Sequence, residues 1–255
     1  MPSFDPSPSN KPSPPSLPAL PPGVNTFAGM DKSDYPGDRV MESLIRTTNL
    51  DWTGFYLTPA PSQGHQLGWM PKHKFLRSLG WGLAPIYVGR QEPSIPRADH
   101  RMTPENGKID GTHAAQLAAA AGFPPRSVVY LDFENGPPLT KKATAYYVAW
   151  AEALRLGGFS PGVYCLHGLA VGLRAAVPDG LIWAVNYSKF SKKLFSSPFP
   201  QPDPDRSGVP GATMWQLIGN VFVEYVDNVT GTKQKVFVDL NSSVTKDPSV
   251  QLRRA

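Results

Sequence analysis

Between residues 24 and 241, short apolar runs rich in β-branched and aromatic residues alternate with longer stretches of helical periodicity. The clearest run is Ser127-Val128-Val129-Tyr130-Leu131-Asp132-Phe133-Glu134, followed by Asn135, Gly136 and two prolines. It predicts a buried strand closed by turn residues. Side chains alternate across a strand, so Asp132 and Glu134 share one face and Phe133 takes the other. Similar runs predict strands over 24–31, 53–58, 83–89, 161–166, 181–187, 212–217 and 236–241. Apolar spacing at Val40, Leu44 and Ile45 predicts a helix over 39–48. Further helices are predicted over 71–79, 110–121 and 140–156, with a short one over 168–176; Thr140 is the expected N-cap of the 140–156 helix and Gly157-Gly158 its stop. Val221–Tyr225 and Gln234–Val238 fit either a hairpin or two separate strands.

Eight strong strands, most of them separated by helices, predict a parallel α/β fold. The count favours a closed TIM-like (β/α)8 barrel over an open sheet. No convincing helix follows the strands at 181–187 and 212–217, so the last helices are expected to be degenerate and the barrel closed partly by a hairpin. The barrel is assigned to residues 23–243. Residues 1–22 hold nine of the 29 prolines and read as a Pro/Ser-rich arm or linker. Residues 244–255 read as a polar, peripheral tail. There is no internal repeat.

Composition narrows the function classes. The 255-residue chain is 40% hydrophobic and 18% charged, with a net charge of +5 that forms no long basic run. Lys189, Lys192 and Lys193, and the Leu252-Arg253-Arg254 tail, read as solvated surface, and no nucleic-acid partner is expected. A weakly basic surface suits an acidic polymer such as a wall glycan. The single cysteine, Cys165, can form no disulfide within the chain; as a nucleophile it would need His167, and as a small core residue it needs nothing. No segment is apolar enough to span a membrane, and the first residues lack a secretory pattern. The expectation is a monomer that is cytoplasmic as written or exported by a non-Sec route.

Chemistry in such barrels gathers at the C-terminal ends of the strands. Asp31, Asp132, Glu134 and Asp239 fall there, and the strands carrying Asp31 and Asp239 are neighbours in a closed barrel. Four carboxylates are therefore expected around one bowl, with coupled and separated pKa values. Tyr56, Tyr87, Arg90, Gln91, Asn186, Tyr187, Trp215 and Gln216 lie near other strand ends and are expected to line it. Rings stack on sugar faces, and amides and acids bond hydroxyls, so a carbohydrate fits better than a nucleotide. No Gly-rich phosphate loop and no His-based metal spacing occurs. No cofactor is expected, although four acids could hold a divalent cation.

The series Gly29-Met30-Asp31, Tyr35-Pro36-Gly37, Gly54-Phe55-Tyr56-Leu57, Pro85-Ile86-Tyr87-Val88-Gly89-Arg90-Gln91, Asp110-Gly111 and Tyr130-Leu131-Asp132-Phe133-Glu134 resembles the bacterial Rv2525c-like glycoside-hydrolase-like family, once termed DUF1906. That family is related to the lysozymes of glycoside hydrolase family 25. The resemblance implies a TIM-like barrel acting on peptidoglycan or a related N-acetylated polysaccharide. It implies Glu134 as general acid and Asp132 as the second charge or the holder of an N-acetyl group. Asp31 and Asp239 would hold water, sugar hydroxyls or Glu134. Two other readings stay open: a catalytically inactive glycan-binding barrel, and a metal-dependent hydrolase.

Overall fold

In the computed structural model, residues 25–65, 67–93, 99–187 and 194–250 are described. The expected N-terminal arm, Lys189, Lys192, Lys193 and the Leu252-Arg253-Arg254 tail lie outside them.

The chain runs β1 (Phe27–Asp31), α1 (Asp38–Thr47), β2 (Leu50–Tyr56), α2 (His73–Leu79), β3 (Gly82–Val88), α3 (Pro104–Ala121), β4 (Val128–Phe133), α4 (Lys141–Leu156), β5 (Ser160–Leu166), α5 (Ala170–Ala176), β6 (Leu181–Val185), β7 (Leu194–Phe195), β8 (Met214–Val226) and β9 (Lys233–Ser243). Strands β1 to β6 pair in sequence order, β6 pairs with β8, β8 with β9, and β9 returns to β1. The eight-stranded barrel is therefore closed. The two-residue β7 attaches to the outer part of β8.

One strand departs from the parallel order, in keeping with the expected closure by a hairpin: β9 is antiparallel to both β8 and β1. The reason is local. A tight turn joins β8 to β9, and a connection that short can only join antiparallel strands. The Asp227 carboxylate caps the turn, accepting from the backbone N–H groups of Val229 (3.0 Å) and Thr230 (2.8 Å). Of the two options for residues 221–225 and 234–238, the hairpin is the one formed. Between β6 and β8 the only helical element among the described residues is a single 3-10 turn, Pro204–Ser207, as the missing periodicity there implied.

Alternation along each strand divides the core into two layers. Trp52, Ile86, Tyr130, Trp183 and Met214 form one cluster. The rings of Trp52 and Trp183 meet edge to face at 5.4 Å although their strands are not neighbours, so this cluster fills the barrel. Gly29 makes room for it: a Cβ there would sit 2.1 Å from the Trp52 ring. The opposite faces, with Phe55, Tyr87, Val129, Leu131, Phe133 and Trp215, pack outward under the helices.

Helix α4 starts after Thr140, whose hydroxyl accepts from the Ala143 amide at 3.1 Å, as expected. Helix α3 starts six residues before the expected position, capped by Thr103. Asn106-Gly107 and Gly111 mimic loop signals, but the glycines sit where α4 approaches closely: Cβ atoms there would meet the backbone oxygens of Tyr146 and Trp150 at 2.5 and 2.2 Å.

Over residues 244–250 the tail is not peripheral. It crosses the N-terminal ends of the strands and floors the barrel. Tyr130 Oη donates to Pro248 O (3.0 Å), and the Val128 amide to Ser249 O (2.8 Å). Arg77 binds Asp247 at 2.6 Å and Ser249 Oγ at 2.9 Å. Gly82 allows this close approach, since a Cβ there would lie 1.8 Å from Lys246 O. Polar composition concealed the strap because its polar groups are spent on the barrel's own strand ends.

Candidate active site

The opposite end of the barrel, where the parallel strands finish, carries the acids. Asp31 ends β1, Asp132 is the penultimate residue of β4, Glu134 follows that strand, and Asp239 lies on β9. Asp31 and Asp239 are direct partners across β1 and β9. Their charges also reach the β4 pair: Asp31 feels Asp239 and Glu134, Asp132 feels Glu134 and Asp31, and Glu134 feels Asp239. The four acids converge as expected.

A network of neutral side chains holds them. Tyr56 Oη donates to Asp31 Oδ1 (3.1 Å), and Asn241 Nδ2 to Asp31 Oδ2 (2.8 Å). Trp183, at the barrel centre, donates through Nε1 to Asn241 Oδ1 (3.0 Å), which fixes the orientation of that amide. Gln216 Nε2 and the Asn220 amide each donate to Asp239 at 2.5 Å. Tyr164 Oη donates to Gln216 Oε1. Gln91 braces the end of β4, donating to Asp132 O (2.8 Å) and accepting from the Glu134 amide (3.1 Å).

Among the described residues no salt bridge reaches any of the four acids. Burial is the first cause of a raised pKa in each case. It takes Asp31 to about 8, with Asp239 adding to the rise against the lowering bonds from Asn241 and Tyr56. Asp132 is raised well above the usual range by burial, then by Glu134 and Asp31. Its Oδ1 is buried without a hydrogen-bond partner, an arrangement that disfavours the charged form. Glu134 is reached by solvent on its outer side, yet crowding on its inner side and the charge of Asp239 raise it. Asp239 is raised by burial but held back by Asn220, Gln216 and Lys32, and so keeps its charge more readily than the deeper acids.

Two cavities open beside the acids. One of about 280 Å³ is lined by Asp31, Lys32, Tyr56, Asn220, Phe237 and Asp239. The other, about 220 Å³, is lined by Glu134, Tyr164, Leu166, Val185 and Tyr187. A larger one of about 460 Å³ lies at the strapped end beside Arg77 and Asp247, and none of the four acids lines it.

Of the eight expected lining residues, Tyr56, Tyr187 and Gln216 face the bowl, and Gln91 supports it through the β4 backbone. Four do not face it. Tyr87 points outward, with its hydroxyl at 3.2 Å from His113 Nδ1 on α3. Arg90 is clamped between Asp110 (2.8 Å) and Asp99 (2.5 Å). Asn186 turns to Ser207 O (2.6 Å), and Trp215 donates outward to Asn186 O (3.2 Å). Strand parity is the reason in the strands: Ile86 and Gln216 take the inward positions beside Tyr87 and Trp215. Arg90 lies past β3, where ion pairing rather than parity sets its direction. Sequence reading passed over Tyr164 and Asn241 as site residues. Tyr164 is the register partner of Asp132, and Asn241 lies two residues from Asp239 on the same face, so alternation was the available signal.

Cys165 is fully buried, and burial lifts its thiol to about 12, which fits core packing. Among the described residues no group of three or more His, Cys, Asp or Glu side chains is arranged to hold a metal ion, and no helix is long and apolar enough to cross a membrane.

A family model described as the Rv2525c-like, glycoside hydrolase-like domain matches residues 48–231. No curated protein matches the chain. Among solved structures, the Mycobacterium tuberculosis Tat-secreted protein Rv2525c in complex with L-tartrate is similar at TM-score 0.58 and 16% identity, over 90% of this chain and 98% of that one. The Clostridium perfringens spore cortex lytic enzyme SleM is similar at TM-score 0.56 and 14% identity, over 86% and 67% respectively. The modular autolysin LytC of Streptococcus pneumoniae, in complex with a synthetic peptidoglycan ligand, gives TM-score 0.56 and 13% identity over 85% of this chain and 46% of its own. At these identities the likeness is one of fold.

Proposed function

From the premise that the chain belongs to the Rv2525c-like, glycoside hydrolase-like family, we propose that its acid bowl hydrolyses glycosidic bonds in bacterial peptidoglycan or a related N-acetylated polysaccharide. One observation carries the reading: four carboxylates share a bowl where, among the described residues, none is ion-paired and only Lys32 bears on Asp239, so their environments separate them into proton donors and a charge holder.

Glu134 is the general acid. It stands at the rim within reach of a substrate, and its raised pKa keeps a proton available for the leaving glycosidic oxygen. Asp239 is the carboxylate best able to stay ionised, with two donors and Lys32 near it, and it faces the developing positive charge on the sugar ring. Asp132 and Asp31 are the deeper, protonated members. The buried, unpartnered oxygen of Asp132 is suited to bonding a sugar hydroxyl or an N-acetyl group, rather than to carrying the second charge expected from the sequence. Tyr164, Tyr187 and Tyr56 supply flat faces and hydroxyls beside the acids.

The test is turnover of purified wall glycan by the wild type and by Glu134→Gln. Loss of a general acid costs about 10²–10⁴-fold in rate, with the fold unchanged by circular dichroism. Equal cleavage by the variant removes Glu134 from this role. Glycan binding by the wild type without turnover selects the non-catalytic binding barrel instead.

A further inference from the structure

The outer half of the β8–β9 hairpin projects beyond the barrel rim. Register shifts between Gln216 and Val221 bend it there, and Asn220 takes a positive φ of 59° at the bend. One face of this extension is buried: Val221, Val223, Tyr225 and Val238 all pack inward. That face is fastened to α1 through the Arg39–Asp227 ion pair (2.6 Å) and the bond from Ser43 to Asn228 (2.8 Å). The other face carries Phe222 and Phe237, which are register partners with ring centroids 5.1 Å apart. Both remain open to solvent, at 46% and 41% exposure.

Phe237 shares its strand face with Asp239, two residues away, which is about 7 Å along a strand and the scale of one sugar ring. It also lines the cavity that holds Asp31 and Asp239. The apolar platform is thus continuous with the acid bowl. Glu224 and Lys235 form the next cross-strand rung outward, placing polar groups at its far edge. A cross-strand aromatic pair stabilises a hairpin by only about 0.2–1 kcal/mol, and here the opposite face already anchors the extension. Stability alone therefore gives little reason for two open rings at this place.

We propose that Phe222 and Phe237 form a second saccharide subsite, on which a ring of the glycan strand stacks while a neighbouring part of the strand occupies the bowl. The inference rests on the bowl being a glycan site. Pyranose rings present an apolar C–H face to an aromatic ring, while their hydroxyl edges suit Glu224 and Lys235. The site selects for length: a short oligosaccharide fills the bowl alone, and a longer one also covers the platform.

The experiment is calorimetric titration of the full chain with a defined wall disaccharide and with longer oligosaccharides of the same repeat. The variants are Phe222→Thr/Phe237→Thr, which keeps strand-forming residues, and Phe222→Tyr/Phe237→Tyr, which keeps the rings. The threonine pair is expected to weaken long-oligosaccharide binding about tenfold and to melt close to the wild type; Phe222→Thr alone, outside the cavity that Phe237 lines, is expected to change disaccharide binding by less than about twofold, while the tyrosine pair restores the long-ligand affinity. Equal affinities of wild type and threonine pair for the long ligand overturn the platform and leave the bowl standing. Failure of the wild type to bind either ligand overturns both.

Discussion

Asp110 and Asp31 are almost equally buried, at 2% and 5% exposure, and are treated in opposite ways. On the flank, Asp110 receives the Arg90 guanidinium and the Tyr146 hydroxyl at 2.7 Å, and the same arginine reaches Asp99. Asp99 is held far below the usual carboxylate range, first by Arg101 and also by Arg90. At the mouth, Asp31 and its three companions have neutral donors only among the described residues, and all are pushed up. The fold pairs buried acids with arginine on the flank, so the difference at the mouth, among the described residues, lies in where the cations stand. A carboxylate neutralised by an arginine cannot deliver a proton near neutral pH; one raised by burial can.

Three measurements sharpen this contrast. The largest effect is expected on the flank: Arg90→Met leaves Asp110 buried without its cation and should cost about 3–5 kcal/mol in urea unfolding. A loss under about 1 kcal/mol would mean that the pair is as dispensable as a surface bridge. The mouth should respond to pH in the opposite sense from a salt-bridged acid. Asp31 has a folded pKa of about 8, above its unfolded value of about 3.9, so the folded state holds the extra proton between them. Its contribution is fully present below about pH 4 and lost as pH rises to about 8, on the order of 2 kcal/mol after allowance for coupling. Asp31→Asn should flatten the urea midpoint across that window; an unchanged slope would place the buried proton elsewhere. The smallest effect belongs to a single neutral bond of the floor: Tyr130→Phe removes the bond to Pro248 O and should lower stability by about 1 kcal/mol, or a few degrees in Tm.

The strands and their acids were legible because both follow from period-two alternation and from turn residues that close each run. The Asp132–Glu134 pair could be placed on one face without coordinates. What alternation alone does not give is the absolute face of each strand. Tyr87 and Trp215 sit one residue away from the inward positions and so were assigned to the bowl, while Tyr164, which shares a register level with Asp132, was passed over. Arg90 belongs to a different failure, since an arginine near a site reads as a ligand until its buried partners, Asp99 and Asp110, are known. The direction of β9 depended on deciding that Asp227 to Thr232 is a turn, and the role of Val244–Val250 depended on a fit against Gly82 that polar composition does not encode.

The bond from Asn241 to Asp31 spans 210 positions of sequence, and it exists only once β9 has docked against β1. Such a distant closure is slow to form. Ellipticity from α3 and α4 can recover from denaturant while the two edges of the sheet still stand apart, with Asp132 and Glu134 in place and the other half of the mouth missing. Competence for sugar would then return after helical signal, and its lag would time the joining of the first strand to the last.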